Sequence, residues 1–179
     1  SISVIYVMID AETCGLLPSS RILTIGATVF SLDGGLSDPF YAKLKAPDQG
    51  TFTTDASTME WWSRQNPNVK AEAFEGVVSY RTGLLVLADY LDGLRLMENK
   101  ALGLFANHSN FDFPMLEHSF RQYEISVPWR YTEVYCYATL RNLLKNKIPV
   151  ERGVKNSHIS LEDAQNQARH CIKLLRYLF

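Results

Sequence analysis

Cysteine is scarce in this chain of 179 residues: Cys14, Cys136 and Cys171 stand far apart, and no Cys-x-x-Cys pair occurs. That spacing argues against a zinc site and suits a reducing, cytosolic setting. An excess of either charge is also lacking. The 18 Lys and Arg residues nearly balance 19 Asp and Glu, for a formal net charge of −1. Long apolar runs are missing, and nothing approaches the roughly 20 residues that cross a bilayer, so no membrane partner is expected. The first apolar run is short and has no basic leader, which excludes a secretory signal from the expectation. There is no internal repeat, low-complexity tract or linker. The expectation is one domain over residues 1–179, and 46% hydrophobic residues are enough for a sizeable core.

What is present is a strongly patterned chain. Val4 to Ile9 is a continuous apolar run, which predicts a buried central strand. Ile22 to Phe30 predicts a second strand, Asp33-Gly34-Gly35 a turn, and Phe40 to Leu44 a weaker third strand in an antiparallel meander. Thr54-Asp55-Ala56-Ser57 offers capping chemistry for a helix through Met59, Trp61 and Trp62, with Asn66-Pro67 as its stop. Leu84, Leu87, Ala88, Leu91 and Leu94 recur at helical spacing. Ala101 to Ala106 predicts a fourth strand, followed by a helix carrying Phe111, Met115, Phe120 and Tyr123. A short strand near Thr132 to Tyr135, a helix through Leu140 and Leu143, and a last helix from Ser160 complete the order. The fold class expected is α/β, a mixed five-stranded sheet flanked by helices.

Asp10 and Glu12 stand where the first apolar run ends. Residues two apart on a strand share a face, so the two carboxylates converge. Like charges held together are costly unless a cation neutralises them, and hard oxygen ligands suit Mg²⁺ or Mn²⁺. Three more polar residues sit at element ends: Asp112 in the first turn of a helix, His158 in a loop, and Asp163 opening the last helix. Each has a plain structural role open to it. A helix dipole favours Asp112, a capping box with Ser160 would use Asp163, and His158 fits an ordinary loop. Between Arg121 and Lys155, seven basic residues face three acidic ones, a local charge of +4. Such a stretch is either a solvated face or a seat for a polyanion.

Taken together, the motifs Asp10-Ala11-Glu12-Thr13-Cys14-Gly15, Asn110-Phe111-Asp112 and His158-Ile159-Ser160-Leu161-Glu162-Asp163 resemble, in order and spacing, those of the DEDDh family of 3′→5′ exonucleases. The resemblance spans residues 4 to about 176. It implies a ribonuclease-H-like fold in which Asp10, Glu12, Asp112 and Asp163 hold two divalent ions, Mg²⁺ or Mn²⁺, roughly 3.5–4 Å apart. It implies His158 as general base for the attacking water, with release of nucleoside 5′-monophosphates. Relatives often carry Asp-Thr where this chain reads Tyr135-Cys136-Tyr137. The segment Ser57 to Gln65 is similar to one in phage and prophage members.

The partner expected is a single-stranded or frayed 3′ end of nucleic acid, with DNA favoured over RNA. Ala11, Thr13, Asn110 and Phe111 are candidate substrate contacts. Trp61 and Trp62 are candidates for stacking on bases, although neighbouring helical aromatics more often belong to a core. Two other readings compete: a catalytically silent nucleic-acid-binding module of a replication or recombination complex, and an aspartate-nucleophile phosphatase. The latter needs Asp-x-Asp, where this chain has Glu12, and leaves His158 without a task.

Overall fold

The element that organises the molecule is β1 (Val4–Thr13), longer than its apolar run because pairing continues through both acids. In the computed structural model, which describes residues 4–98 and 101–179, β1 pairs antiparallel with β2 (Ile22–Phe30) from Tyr6 to Thr13. β2 pairs antiparallel with β3 (Leu36–Lys43), so the expected meander forms. On its other side β1 pairs parallel with β4 (Ala101–Ala106), but only from Val4 to Met8. β5 (Val134–Cys136) extends the parallel half, giving the order β3-β2-β1-β4-β5. The strand therefore runs out at Asp10 on its β4 side alone, where a cleft opens.

Helices cover both faces, as the alternation of buried side chains along β1 requires. Val7, Ile9 and Ala11 pack toward α3 (Tyr80–Glu98) and α4 (Ser109–Gln122), against Leu84, Leu87, Leu91, Leu116 and Phe120. Met8 faces the other way. It joins Phe30 and Phe105 beneath α5 (Tyr137–Leu143) and α6 (Ser160–Leu178), whose Ala164, Ala168, Cys171 and Leu175 form the buried stripe. Asp10 and Glu12 share the Met8 parity, so they face α6.

Gly26, opposite Asp10 on β2, decides how closely α6 approaches. A Cβ on Gly26 would lie 2.2 Å from the Leu161 nitrogen and 2.3 Å from the Ser160 carbonyl carbon. The first turn of α6 thus sits directly on the sheet, tied by the Thr24 hydroxyl donating to Ser160 Oγ at 3.0 Å.

Three local expectations change. The segment after Asn66-Pro67 is itself a helix, α2 (Pro67–Phe74), which follows α1 (Ala56–Ser63). Asn66 Oδ1 accepts from the Asn68 N–H at 2.8 Å with Pro67 at the first helical position, so the dipeptide starts a helix as well as ending one. Asp55 occupies the cap position of α1, but its carboxylate accepts the Leu16 N–H at 2.8 Å and so tethers the loop after β1. The short strand begins two residues later than expected, after a 3-10 turn over Tyr131–Glu133. Among the described residues no helix is long and apolar enough to cross a membrane.

Candidate active site

Three separate stretches deliver the four acids to one point. Asp10 is buried on β1. Its Oδ1 accepts from Gln167 Nε2 at 3.4 Å, and its Oδ2 has no hydrogen-bond partner. Asp112 enters from the first turn of α4, and its Oδ1 accepts the Ala11 N–H at 3.2 Å. That N–H lies beyond the last β1–β4 pair, so Asp112 replaces the missing strand as its acceptor.

Asp163 does not close a capping box with Ser160. Ile159 is the cap residue, without a side-chain bond, and Ser160 Oγ accepts from Thr24. The Asp163 carboxylate instead accepts the Ser157 N–H at 2.7 Å, the Ser157 hydroxyl at 3.1 Å and the His158 N–H at 3.0 Å. These bonds wrap the loop around the acid and hold His158 in a left-handed conformation, φ 61°. Such a backbone is uncommon outside glycine and marks a constrained position. The imidazole meets Trp61 edge to face, with centroids 4.8 Å apart. Glu12, His158 and Asp163 each offer a ligand atom within 4.8 Å of the other two.

The charges are mutually unfavourable. Burial, followed by repulsion from Asp112, Glu12 and Asp163, pushes the Asp10 carboxyl well above the carboxylate range. Burial, followed by Asp163 and Asp112, raises Glu12 to about 8. Burial raises Asp112 to about 7, against the lowering effect of the Ala11 N–H, and burial also raises Asp163. Among the described residues no Lys or Arg pairs with any of the four. A four-carboxylate set with an orphaned buried oxygen on Asp10 fits hard divalent cations.

Beside Glu12 lies a cavity of about 370 Å³ with walls that include Ala11, Thr13, Leu16, Trp61 and Phe111. The Thr13 hydroxyl is already spent on the Gly15 carbonyl at 2.8 Å. Trp62 has no exposed surface, which rules out base stacking by its ring. It packs with Cys14, Leu23 and Ala73, and its indole N–H donates to the Thr13 carbonyl at 3.0 Å, so it supports the cavity floor. Asn110, a candidate substrate contact, is an exposed residue of the first turn of α4, whose cap position is held by His108. Sequence reading missed Gln167, Ser157 and Leu16. Gln167 alone had a signal, being one helical turn beyond Asp163 on the same face.

A ribonuclease-H-like mixed sheet with carboxylates gathered at the end of its central strand is the architecture of the DEDDh exonucleases. The nuclease domain of 3′hExo, a DEDDh family member solved with rAMP bound, matches with TM-score 0.66 at 15% identity, over 97% of this chain and 92% of that one. S. pombe Pop2p in its Mg²⁺- and Mn²⁺-bound form gives TM-score 0.59 at 16% identity, over 97% and 84%. E. coli exonuclease I in complex with a dT13 oligonucleotide gives 0.62 at 12% identity, where this chain accounts for 41% of the larger protein. At these identities the likeness is one of fold. A search of curated proteins finds no match. Residues 5–175 match the family described as the 3′-5′ exoribonuclease Rv2179c-like domain, and the chain belongs to that family.

Proposed function

We propose that this chain is a divalent-metal-dependent 3′→5′ exonuclease that shortens single-stranded or frayed RNA ends and releases nucleoside 5′-monophosphates. The observation that carries the reading is the largely buried cluster of Asp10, Glu12, Asp112 and Asp163, carboxylates that repel one another and, among the described residues, pair with no Lys or Arg. These four carboxylates would hold the metal ions, which supply charge neutralisation at the phosphoryl group and a more acidic attacking water. The family's description as an exoribonuclease supports RNA over the DNA expected at first.

The chain's own residues have separable tasks. His158 accepts the proton of the attacking water as general base. Its left-handed backbone and perpendicular packing on Trp61 would keep the ring near Glu12 and Asp163. The 370 Å³ cavity receives the terminal nucleoside, with Trp61 and Phe111 as apolar walls and Ala11 and Thr13 along its edge. Asn110, exposed in the first turn of α4, would contact the sugar-phosphate. The three cysteines are free, which suits a reducing cytosol. Kinship with phage enzymes rests on the Ser57–Gln65 segment.

The test is incubation of matched 3′-labelled RNA and DNA oligonucleotides with Mg²⁺ or Mn²⁺. The expected result is mononucleotide release, faster from RNA. No release from folded protein with either metal ends the proposal, and tight binding without cleavage returns the silent-module reading.

A further inference from the structure

A second cavity, of about 550 Å³, lies between α5, α6 and residues 150–156, and Asp163 and Gln167 form part of its wall. It therefore meets the acid cluster from a different side than the nucleoside cavity, which borders Glu12. We propose that this second cavity binds the phosphate backbone of the RNA chain 5′ of the bond being cleaved. The proposal rests on the nuclease reading above and names where the uncleaved part of its substrate runs.

The lining is basic. Starting from Asp163, α6 carries Arg169, Lys173 and Arg176 into the cavity, at the spacing that aligns residues on one helical face. The rise of the helix places Arg176 about 20 Å from Asp163 along its axis. Arg141 on α5 and Lys155 in the covering loop complete the set. Among the described residues Lys173 is the one member of this set in an ion pair, with Glu151. Arg141 is held by the Asn107 side-chain oxygen at 2.6 Å and Arg169 by that of Asn166 at 2.9 Å. Arg176 donates to the Leu32 carbonyl. Those partners are neutral, so the charges of Arg141 and Arg169 are positioned without being cancelled, whereas Arg176 also feels the exposed carboxylate of Asp33. Lys155 has no ion-pair partner among the described residues. Glu151 and Asp163 are the acids of the lining.

A mononucleotide has one phosphate and does not need a row of cations. A chain has one phosphate per residue, and a basic groove that follows them is how single strands are bound without regard to sequence. Two cavities of contrasting character meeting at the acids thus assign direction: the terminal nucleoside on the apolar side, the remaining chain on the basic side. Of the basic stretch between Arg121 and Lys155, only Arg141 and Lys155 reach this cavity. The greater part of the row comes from α6.

The test uses a 5′-fluorescein decaribonucleotide and anisotropy in EDTA, where cleavage is stopped. Arg169→Glu/Lys173→Glu is expected to raise Kd at least tenfold. The slope of log K against log salt should fall by about 1.4, at about 0.7 per single-strand phosphate contact. Arg121→Glu, a single charge reversal outside the cavity and half the charge change of the double variant, is expected to leave Kd within twofold. Thermal unfolding establishes that each variant is folded. Should the double variant unfold, Arg176→Gln at the exposed far end supplies the reading, with a loss of about threefold and a slope lower by about 0.7. A folded groove variant with unchanged Kd and slope overturns the proposal, as does an equal loss in Arg121→Glu. Cleavage by the parent protein with Mn²⁺ is scored separately, so failure of the nuclease reading and failure of the groove give different results.

Discussion

Removal of divalent ions should make the folded state sensitive to pH in a direction opposite to that of most acid-rich proteins. Glu12 and Asp112 titrate near about 8 and about 7 in the fold, above their ordinary values, because burial and neighbouring carboxylates disfavour the ions. A raised folded-state value means that stability is intact below the ordinary carboxylate range and is lost as pH climbs through 7 and 8. At about 1.4 kcal/mol per pH unit, one such carboxyl costs about 4 kcal/mol between pH 5 and pH 8. For a domain of this size that is a fall in Tm of roughly 8–16 °C. Metal should reverse it. Free ion at a hundred times its Kd adds about 2.7 kcal/mol, or roughly 5–11 °C. The assay is thermal unfolding from pH 5 to pH 8 in EDTA and in MnCl₂. Asp10→Asn keeps the Gln167 contact and removes a carboxyl whose ionisation the fold disfavours, so in EDTA at pH 8 it should melt higher than the parent and lose most of the manganese shift. A Tm that is flat with pH in EDTA, together with no manganese effect at pH 8, would refute the reasoning.

His158→Ala should slow cleavage by about 10²–10⁴-fold while keeping the manganese-induced rise in Tm. Loss of that rise would make His158 a ligand instead of a base, an arrangement its 4.8 Å grouping with Glu12 and Asp163 permits. Gly26→Ala should destabilise by about 1–3 kcal/mol or more in urea unfolding, because its Cβ meets backbone atoms of α6 that cannot rotate away. It should also blunt the manganese shift by lifting Asp163. Unchanged urea stability would show that α6 can slide. Trp62→Phe should cost about 1–3 kcal/mol by orphaning the buried Thr13 carbonyl, with a lower Tm as the readout. A variant as stable as the parent would mean that water or a neighbour replaces the indole.

The motifs were readable because chemistry and periodicity coincide in them. Asp10 and Glu12 share a strand face by the two-residue repeat, and Asp163 opens a helix whose apolar stripe, Ala164, Ala168, Ile172 and Leu175, has the helical period. The less visible features depend on what a side chain meets after folding. Asp55 looks like a helix cap and instead holds Leu16. Asn66-Pro67 is at once an end and a beginning. Trp61 and Trp62 are adjacent letters with opposite fates: one packs perpendicular to the His158 ring, the other is sealed beneath Thr13. Helical neighbours point about 100° apart, and nothing local says which direction leads to the core.

Residue types, their order and their local periods were sufficient to place the strands and most helices and to single out the four acids and His158 as candidates. Local interactions span only a few residues, and these features need no more. The convergence of the acids required three long-range events. β4 had to stop short of Asp10, Asp112 had to take the Ala11 N–H across 101 residues, and Gly26 had to admit the first turn of α6. The basic row of α6 faces a cavity for the same reason: α5 and the covering loop close over it. Such placements follow from how packed layers fill space, a property of the whole chain that no short window of sequence contains.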